Sequence, residues 1–305
     1  MAPALDNLGP GARVLLVRLR SLGDCVLTTP ALELLHAFRP DLQVAVVVEP
    51  RFAAVFEHHP AVDAILEPLA ARIRAWRPEL AVNLHGGTRS AWLTLSSRAR
   101  VRAGFGHHRF AWSYHVRIPR AQEILGEERV VHTAEHLASA LFYLGVPRTE
   151  IPKARLYGAE PPRRAPYAVL HPFAAAEDKR WPAERFVELG RHFRRAHGLD
   201  VVVLGAAGDD FSPFAEFGRI EGAPLGEVKG WIAGARIFVG NDSGPAHMAA
   251  ALGVPAVVLF GRSDPRIWGP WRAEAAVALH APEGLEAIPV ERVAEAAEGL
   301  RARTW

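Results

Sequence analysis

The stretch Arg236-Ile237-Phe238-Val239-Gly240-Asn241-Asp242-Ser243-Gly244-Pro245-Ala246-His247 restricts the fold more than any other in this 305-residue chain. A β-branched and aromatic run ends in small and polar residues, and an alanine-rich helix begins at Pro245. Strand, tight turn and helix N-terminus in that order make one βα unit of a parallel sheet. Pro245 suits the first helical position because it has no N–H to leave unpaired. The glycines permit close backbone approach, and the first free N–H groups of the helix favour an anionic ligand. Many parallel sheets make such a turn with nothing bound, so its meaning depends on what the rest of the chain sets against it.

The same alternation runs from end to end. Val14–Val17 is a short apolar run flanked by Gly11 and by charged Arg18 and Arg20, as expected of a buried parallel strand. A helix follows from Ser21-Leu22-Gly23-Asp24 through Phe38, with Thr28-Thr29-Pro30 restarting or kinking it. Strands are expected at Gln43–Val48, Ala64–Leu66, Leu80–Leu84 and Arg100–Ala103, and helices at Ala70–Trp76, from Arg89, and at Thr133–Leu144, which stops at Gly145 with Pro147 beyond. Residues 146–166 hold five prolines and little periodicity, the composition of a linker. A second βα series then runs through Tyr167–Leu170, Pro182–Ala196, Asp200–Leu204, Val228–Ala233, the opening turn, Pro245–Leu252, Val254–Phe260 and Val290–Arg301. In the span 206–226, which holds two prolines and four glycines, any helix is expected to be short. The expected class is α/β, with two Rossmann-like domains of parallel sheet, residues 1–155 and 156–305.

Composition narrows the setting. Half of the residues are hydrophobic and 23% are charged, so a large core is expected. A single cysteine, Cys25, excludes a disulfide framework and a cysteine-cluster metal site. No apolar stretch approaches the roughly 20 residues that span a bilayer, and the N-terminal apolar run is too short for a secretion signal. A soluble, cytoplasmic protein without a transmembrane segment is expected. Net charge is +3, distributed as 19 Lys/Arg against 15 Asp/Glu in residues 1–160 and 17 against 18 in the remainder. Between Glu79 and Glu123 there is no acidic residue, while Arg89, Arg98, Arg100, Arg102, Arg109, Arg117 and Arg120 lie there with His85, His107, His108 and His115. Such a stretch is either a solvated face or an attractor of polyanions. Nucleic acid is not expected, since aromatic interleaving and a basic tail are both missing. A phosphorylated or carboxylated acceptor fits the first half better.

Ligands of open parallel sheets bind beyond the carboxyl ends of the strands. Asp24 follows the first strand of one domain; Lys179 follows the first strand of the other, and Asn241-Asp242-Ser243-Gly244 ends a later strand of that domain. If the domains face each other across a cleft, a carboxylate on one side meets phosphate-binding groups on the other, which suits group transfer from a nucleotide. Taken alone, Asp24 reads equally as the cap of the helix it precedes or as a base, Lys179 as a surface lysine, Asp242 as a turn former, and His247 as a first-turn helix residue. A dehydrogenase of similar plan is disfavoured because no Gly-x-Gly-x-x-Gly follows the first strand.

Motifs throughout residues 14–271 carry a family resemblance. Arg18-Leu19-Arg20-Ser21-Leu22-Gly23-Asp24 with Thr28-Thr29-Pro30, Asn83-Leu84-His85-Gly86 with Arg89-Ser90, Lys179-Arg180-Trp181-Pro182 with Glu184-Arg185-Phe186, Val239–His247, and Leu259-Phe260-Gly261 with Ser263-Asp264-Pro265 and Gly269-Pro270 resemble glycosyltransferase family 9, the ADP-heptose:lipopolysaccharide heptosyltransferases. The resemblance implies the GT-B fold, with the acceptor on the N-terminal domain, the nucleotide-sugar on the C-terminal one, and a last helix that often packs back onto the first domain. It implies inverting heptose transfer from ADP-heptose to an anionic lipopolysaccharide inner-core acceptor at the inner membrane surface, with no further cofactor. Carried over residue by residue, it makes Asp24 the general base and places Lys179, Asp242, Ser243, Gly244 and His247 at the donor, with Arg20 and Arg89 as weaker candidates for the acceptor's anionic groups. No catalytic metal site is expected, there being no Asp-x-Asp in the chain. Two departures bear on the donor and the base. Ala174-Ala175-Ala176 stands where relatives often carry hydroxyl residues, and Arg20 stands where serine is usual. The ribose-contacting acid is open between Asp209 and Asp210. Another nucleotide-sugar or acceptor, or a GT-B-like nucleotide-sugar epimerase, is the alternative reading.

Overall fold

Alternating apolar runs and amphipathic segments build two sheets, each wholly parallel. The computed structural model describes residues 3–162 and 165–304, and the chain divides into the units Met1–Gly158 and Ala159–Trp305. In the first unit the elements are β1 (Arg13–Val17), α1 (Leu22–Val26), α2 (Thr29–Phe38), β2 (Gln43–Val47), β3 (Ala64–Leu66), α3 (Ala70–Trp76), β4 (Leu80–Asn83), α4 (Thr88–Ser96), β5 (Val101–Phe105), β6 (Val116–Ile118), α5 (Ala121–Leu125) and α6 (Thr133–Leu144). In the second they are β7 (Tyr167–His171), α7 (Ala183–His197), β8 (Asp200–Gly205), β9 (Gly218–Glu221), α8 (Leu225–Ala233), β10 (Ile237–Asn241), α9 (Gly244–Ala251), β11 (Ala256–Phe260), α10 (Pro265–Trp268), β12 (Ala276–His280) and α11 (Val290–Thr304).

The sheet orders are β3-β2-β1-β4-β5-β6 and β12-β11-β10-β7-β8-β9. In each, the strand order reverses at the centre, as in the doubly wound sheet of a Rossmann-like domain. The central strands are apolar throughout because helices cover both faces: Val14 to Val17, Val169, Leu170 and Ile237 to Val239 are all at or near zero exposure. In the first unit Leu15, Val17, Ala45, Val47 and Ala81 pack with Ile73 of α3 and Leu93 of α4. In the second, Phe186, Leu189 and Phe193 of α7 and Val293, Ala297 and Leu300 of α11 close one face of the sheet.

Several expectations are adjusted. The strands β6, β9 and β12 are additions to those expected from the sequence. All three stand at sheet edges with one neighbour each. The strands β6 and β9 carry no apolar run, since an edge strand needs none, whereas β12 contains the apolar run Ala276-Val277-Ala278-Leu279, which the sequence reading leaves unassigned. The helix after β1 breaks in two at Leu27 and Thr28, where Thr29 Oγ1 donates to the Val26 carbonyl and Pro30 falls in the first turn of the second piece. The start of α9 is Gly244, which moves Pro245 to the second helical position, where its missing N–H is equally harmless. Within the expected linker, the Arg155 N–H donates to Thr29 and the Tyr157 hydroxyl to Glu33, binding the chain to the first unit as far as Tyr157; Arg163 and Arg164 lie outside the described residues. Among the described residues no helix is long and apolar enough to cross a membrane.

Candidate active site

In a doubly wound sheet the connections from neighbouring strands diverge to opposite faces at one point, leaving a crevice at the carboxyl ends. Here those points lie between β1 and β4 in the first unit and between β7 and β10 in the second. Every residue given a catalytic, donor or acceptor role from the sequence falls on a segment that follows one of these four strands, while Asp209 and Asp210 follow β8.

In the second unit the turn after β10 is shaped by Asn241, which is fully buried. Its side-chain oxygen accepts from the Trp181 N–H at 3.1 Å, and its amide donates to the Pro172 carbonyl at 2.8 Å. One asparagine thus ties together both ends of the loop after β7 and leaves neither of its polar ends unpaired. Gly240 is needed beside it, since a Cβ there would lie 2.9 Å from the Phe238 ring and 3.1 Å from His171 Cβ. With the two loops held so, Lys179 Nζ sits 2.8 Å from Asp242 Oδ2. The carboxylate is nearly buried while the lysine is 40% exposed, so Asp242 anchors an ammonium group that still faces solvent. Ser243, the residue before α9, is in extended conformation and its hydroxyl lies 3.2 Å from His171 Nδ1. Burial holds His171 down at about 4, so the ring is neutral at pH 7. Gly244 opens α9, and His247 is buried in its first turn. An anchored ammonium beside a helix N-terminus is an arrangement for a phosphate.

Two further features of the sequence resolve differently. Ala174, Ala175 and Ala176 bring no side-chain donor to this loop, where Arg180 Nε donates back to the Ala174 carbonyl at 2.9 Å. Asp209 accepts from the Ala206 N–H at 2.7 Å and Asp210 from the Ser212 N–H at 2.9 Å, so each carboxylate shapes its own turn beyond β8.

In the first unit Asp24 does not precede a helix. It is the third residue of α1, and its Oδ2 accepts from the Ser21 N–H at 3.3 Å and the Ser21 hydroxyl at 3.2 Å. The capping role is therefore real but runs backwards, from inside the helix to its entrance. The same oxygen lies 3.9 Å from Arg18 Nη1. By sequence Arg18 is only the charged flank of a strand; in the structure it is 5% exposed and donates to the Leu84 carbonyl after β4. Burial lowers its pKa, and the charge of Asp24 works against that shift. The one signal for this role is a charge placed directly after an apolar run that must be buried. Burial also pushes the neighbouring Cys25 thiol up to about 12, leaving it inert as a nucleophile at neutral pH.

Four histidines gather on this side of the first unit: His85, His107 and His108 of the basic stretch and, from α6 outside it, His136. His85 follows β4, near Arg18 and Asp24, and hydrogen-bonds to the backbone of Arg20. Its turn is set by Asn83, whose side-chain oxygen accepts from the His85 and Gly86 N–H groups and whose amide donates to Ser90 and Tyr114. At Gly86, with φ of +81°, a Cβ would lie 2.1 Å from the His108 ring. His136 of α6 stacks on Phe105 with centroids 4.0 Å apart, and His107 and His108 adjoin at 4.4 Å. Burial, reinforced by the neighbouring cations, lowers all four pKa values, to about 4 for His108 and His136. His85, His107 and His108 therefore add no charge to the basic stretch at pH 7, and its positive potential comes from arginine. Arg20 is exposed, and Arg89 sits 3.5 Å from Glu49, which also holds Arg51.

The sequence profile of glycosyltransferase family 9 (heptosyltransferase) matches residues 68–288. Lipopolysaccharide heptosyltransferase 1 of Pseudomonas aeruginosa is 31% identical over 294 residues, covering 84% of this chain and 81% of its own. Among solved structures, the family 9 glycosyltransferase of Veillonella parvula DSM 2008 superposes with a TM-score of 0.85 at 24% identity, covering 96% of this chain and 98% of its own. The Escherichia coli heptosyltransferase WaaC with ADP superposes at 0.78 and 23% identity, covering 94% and 99%. Those likenesses establish the GT-B fold. A profile spanning most of the chain, a relative above 30% identity over most of both sequences and the paired switch-point sites agree: this chain is an enzyme that belongs to glycosyltransferase family 9, the heptosyltransferases.

Proposed function

We propose that the enzyme transfers heptose with inversion from ADP-heptose to an anionic inner-core lipopolysaccharide acceptor, with Asp24 as the general base. One observation supports this most: a carboxylate and an anchored ammonium occupy the switch points of the two Rossmann-like units, Asp24 after β1 and the Lys179–Asp242 pair joining the loops after β7 and β10. The relatives with ADP and with ADP-2-deoxy-2-fluoro heptose bound support the choice of donor. In this reading the second unit binds the nucleotide-sugar and the first the acceptor.

Asp24 takes the proton of an acceptor hydroxyl while that oxygen forms a bond to the anomeric carbon. The bond from that carbon to the β-phosphate oxygen breaks on the opposite side, and ADP departs with the negative charge. Lys179, His247 and the backbone N–H groups at Gly244 stabilise that charge, a contribution of a few kcal/mol for each well-aimed donor. Ser243, held against neutral His171, and Asp242, held against Lys179, fix those groups in place. Lys179 supplies a cation of the protein's own at the leaving group, and the chain lacks the Asp-x-Asp that would hold a magnesium ion there. Arg20 and Arg89 attract the acceptor's acidic groups, assisted by exposed Arg98, Arg109 and Arg117. Trp92 at 56% and Trp112 at 68% exposure, in the same basic stretch, suit a glycolipid presented at the cytoplasmic surface of the inner membrane.

The loop Ala174-Ala175-Ala176 favours a second reading, in which the donor sugar differs, because side-chain donors near the sugar are missing there. Turnover of ADP-heptose against a panel of core-oligosaccharide acceptors tests both. Heptosylated product with inverted anomeric configuration is expected. Failure with every acceptor, alongside turnover of another nucleotide-sugar, would reject the heptose donor and leave the family and fold intact.

A further inference from the structure

The helices α7 and α11 lie side by side on one face of the second sheet, and near their C-terminal ends three metal-ligating side chains converge. His192 Nε2 is 3.1 Å from Glu298 Oε1, and His197 Nε2 is 3.4 Å from the same oxygen. One ligand atom from each of the three falls within 4.8 Å of the other two. Zinc bonds to imidazole nitrogen and carboxylate oxygen at about 2.0–2.2 Å, so neighbouring ligands on a tetrahedral ion stand roughly 3.3–3.5 Å apart. Two of the three edges of such a site are already close to that length.

The convergence is tertiary. Residues five apart on an ideal helix point about 140° away from one another. Here His197 is the last residue of α7, followed by left-handed Gly198, and the ring centroids of His192 and His197 are 5.5 Å apart. Glu298 comes from a different helix altogether. The side chains of His192 and Glu298 are 34% and 47% exposed, so an ion has an open route in and a place for water as its fourth ligand.

We propose that His192, His197 and Glu298 form a site for a divalent transition-metal ion of the zinc class, which clamps α11 to α7. Two imidazoles with one carboxylate suit zinc, copper or nickel, and calcium and magnesium poorly. The site is not part of the transfer chemistry. The 15 residues of α7 run about 22 Å from the Trp181 end, beside Asn241, to the His197 end. Its effect is on the frame of the donor loops. The Trp181 ring N–H donates to the Ile288 carbonyl just before α11, and Arg185 of α7 donates to the same carbonyl, so the two helices already meet at the donor end. A bound ion fastens them at the other.

Zinc sulfate titrated calorimetrically into the full chain after chelator treatment tests this, with thermal unfolding followed in parallel. One saturable site per chain and a zinc-dependent rise in Tm are expected, both reversed by EDTA. In His192→Ala and in Glu298→Gln, both at the surface, that binding should weaken by more than about tenfold, since even partners outside the ligand set are commonly worth that much. His107→Ala, in the first unit, should leave it unchanged. Cobalt substituted for zinc should show the intense visible bands of tetrahedral coordination. Zinc binding of equal strength in Glu298→Gln and the unaltered chain, or no saturable binding, would overturn the proposal and leave an ordinary histidine–glutamate ion pair. Either result is independent of the transfer reaction.

Discussion

The two units are wired alike and equipped in opposite ways. Each ends its fourth strand in a fully buried asparagine, Asn83 of β4 and Asn241 of β10. Each asparagine engages the loops around it with both polar ends. The units differ in the segment after the first strand. After β1 stands a carboxylate, with a buried arginine and uncharged histidines nearby. After β7 stands an ammonium, held by a nearly buried carboxylate beside a helix N-terminus. The asparagine shapes the switch-point turn in both units, and the units differ in the charge set after their first strand.

Substitution of those two charges is the most severe way to break the comparison. Asp24→Asn keeps an oxygen to accept from the Ser21 N–H but has no basicity, so kcat should fall by about 10²–10⁴-fold, the usual worth of a general base. ADP affinity should be unchanged, and the melting temperature should fall modestly as buried Arg18 loses its facing charge; retention of near-normal turnover would refute the assignment. Lys179→Ala should act on the other side, lowering kcat/KM about 100-fold with a clear rise in the donor KM. If the two variants gave the same split between kcat and KM, the division of labour between the units would fail.

The asparagines offer a sharper test of what the units share. Asn83→Ala orphans the N–H groups of His85 and Gly86 and strips a partner from Tyr114, while Asn241→Ala orphans the Trp181 N–H and the Pro172 carbonyl. At about 1–3 kcal/mol for each buried unsatisfied group, both should destabilise, Asn241→Ala the more, since both partners it orphans are buried while the His85 and Gly86 N–H groups are only half-buried. Amide exchange should show the loss confined to the mutated unit in each case.

The smallest expected effect concerns pH. His136 sits at about 4 in the folded chain because burial disfavours its charged form, against about 6.5 when unfolded. Between those values the unfolded state binds a proton that the folded state refuses. The stabilisation is therefore complete above about pH 6.5 and is lost as pH falls toward 4. His136→Phe would keep the stack on Phe105 and remove the titration. The first unit's unfolding should then be less acid-sensitive, by at most ~1.4 kcal/mol per pH unit, with the second unit unaltered. An unchanged acid profile would show that His136 titrates freely.

Much of this was legible in the sequence. Apolar runs such as Val14–Val17 and Ile237–Val239 can be buried on both faces only in a parallel sheet, and Pro245 or Gly145 can stand only where a helix starts or stops. The edge strands β6 and β9 were illegible because a strand with a single neighbour is not compelled to be apolar; β12, with its apolar run Ala276-Val277-Ala278-Leu279, was legible and went unassigned. Asp24 and Lys179 were found through short motifs. Their settings were not, because a motif carries residue types and not neighbours.

Local chain chemistry therefore determined the βα alternation, the turn after β10 and the candidate base and lysine, each resting on interactions within a few residues. Tertiary structure alone decided that Lys179 meets Asp242, 63 positions away, because β7 and β10 are adjacent in the sheet though not in the chain. It also decided that Arg18 is a buried partner of Asp24 and that His107 and His108 of the basic stretch carry no charge. Charge state and pairing depend on burial, and burial is a property of the packed whole.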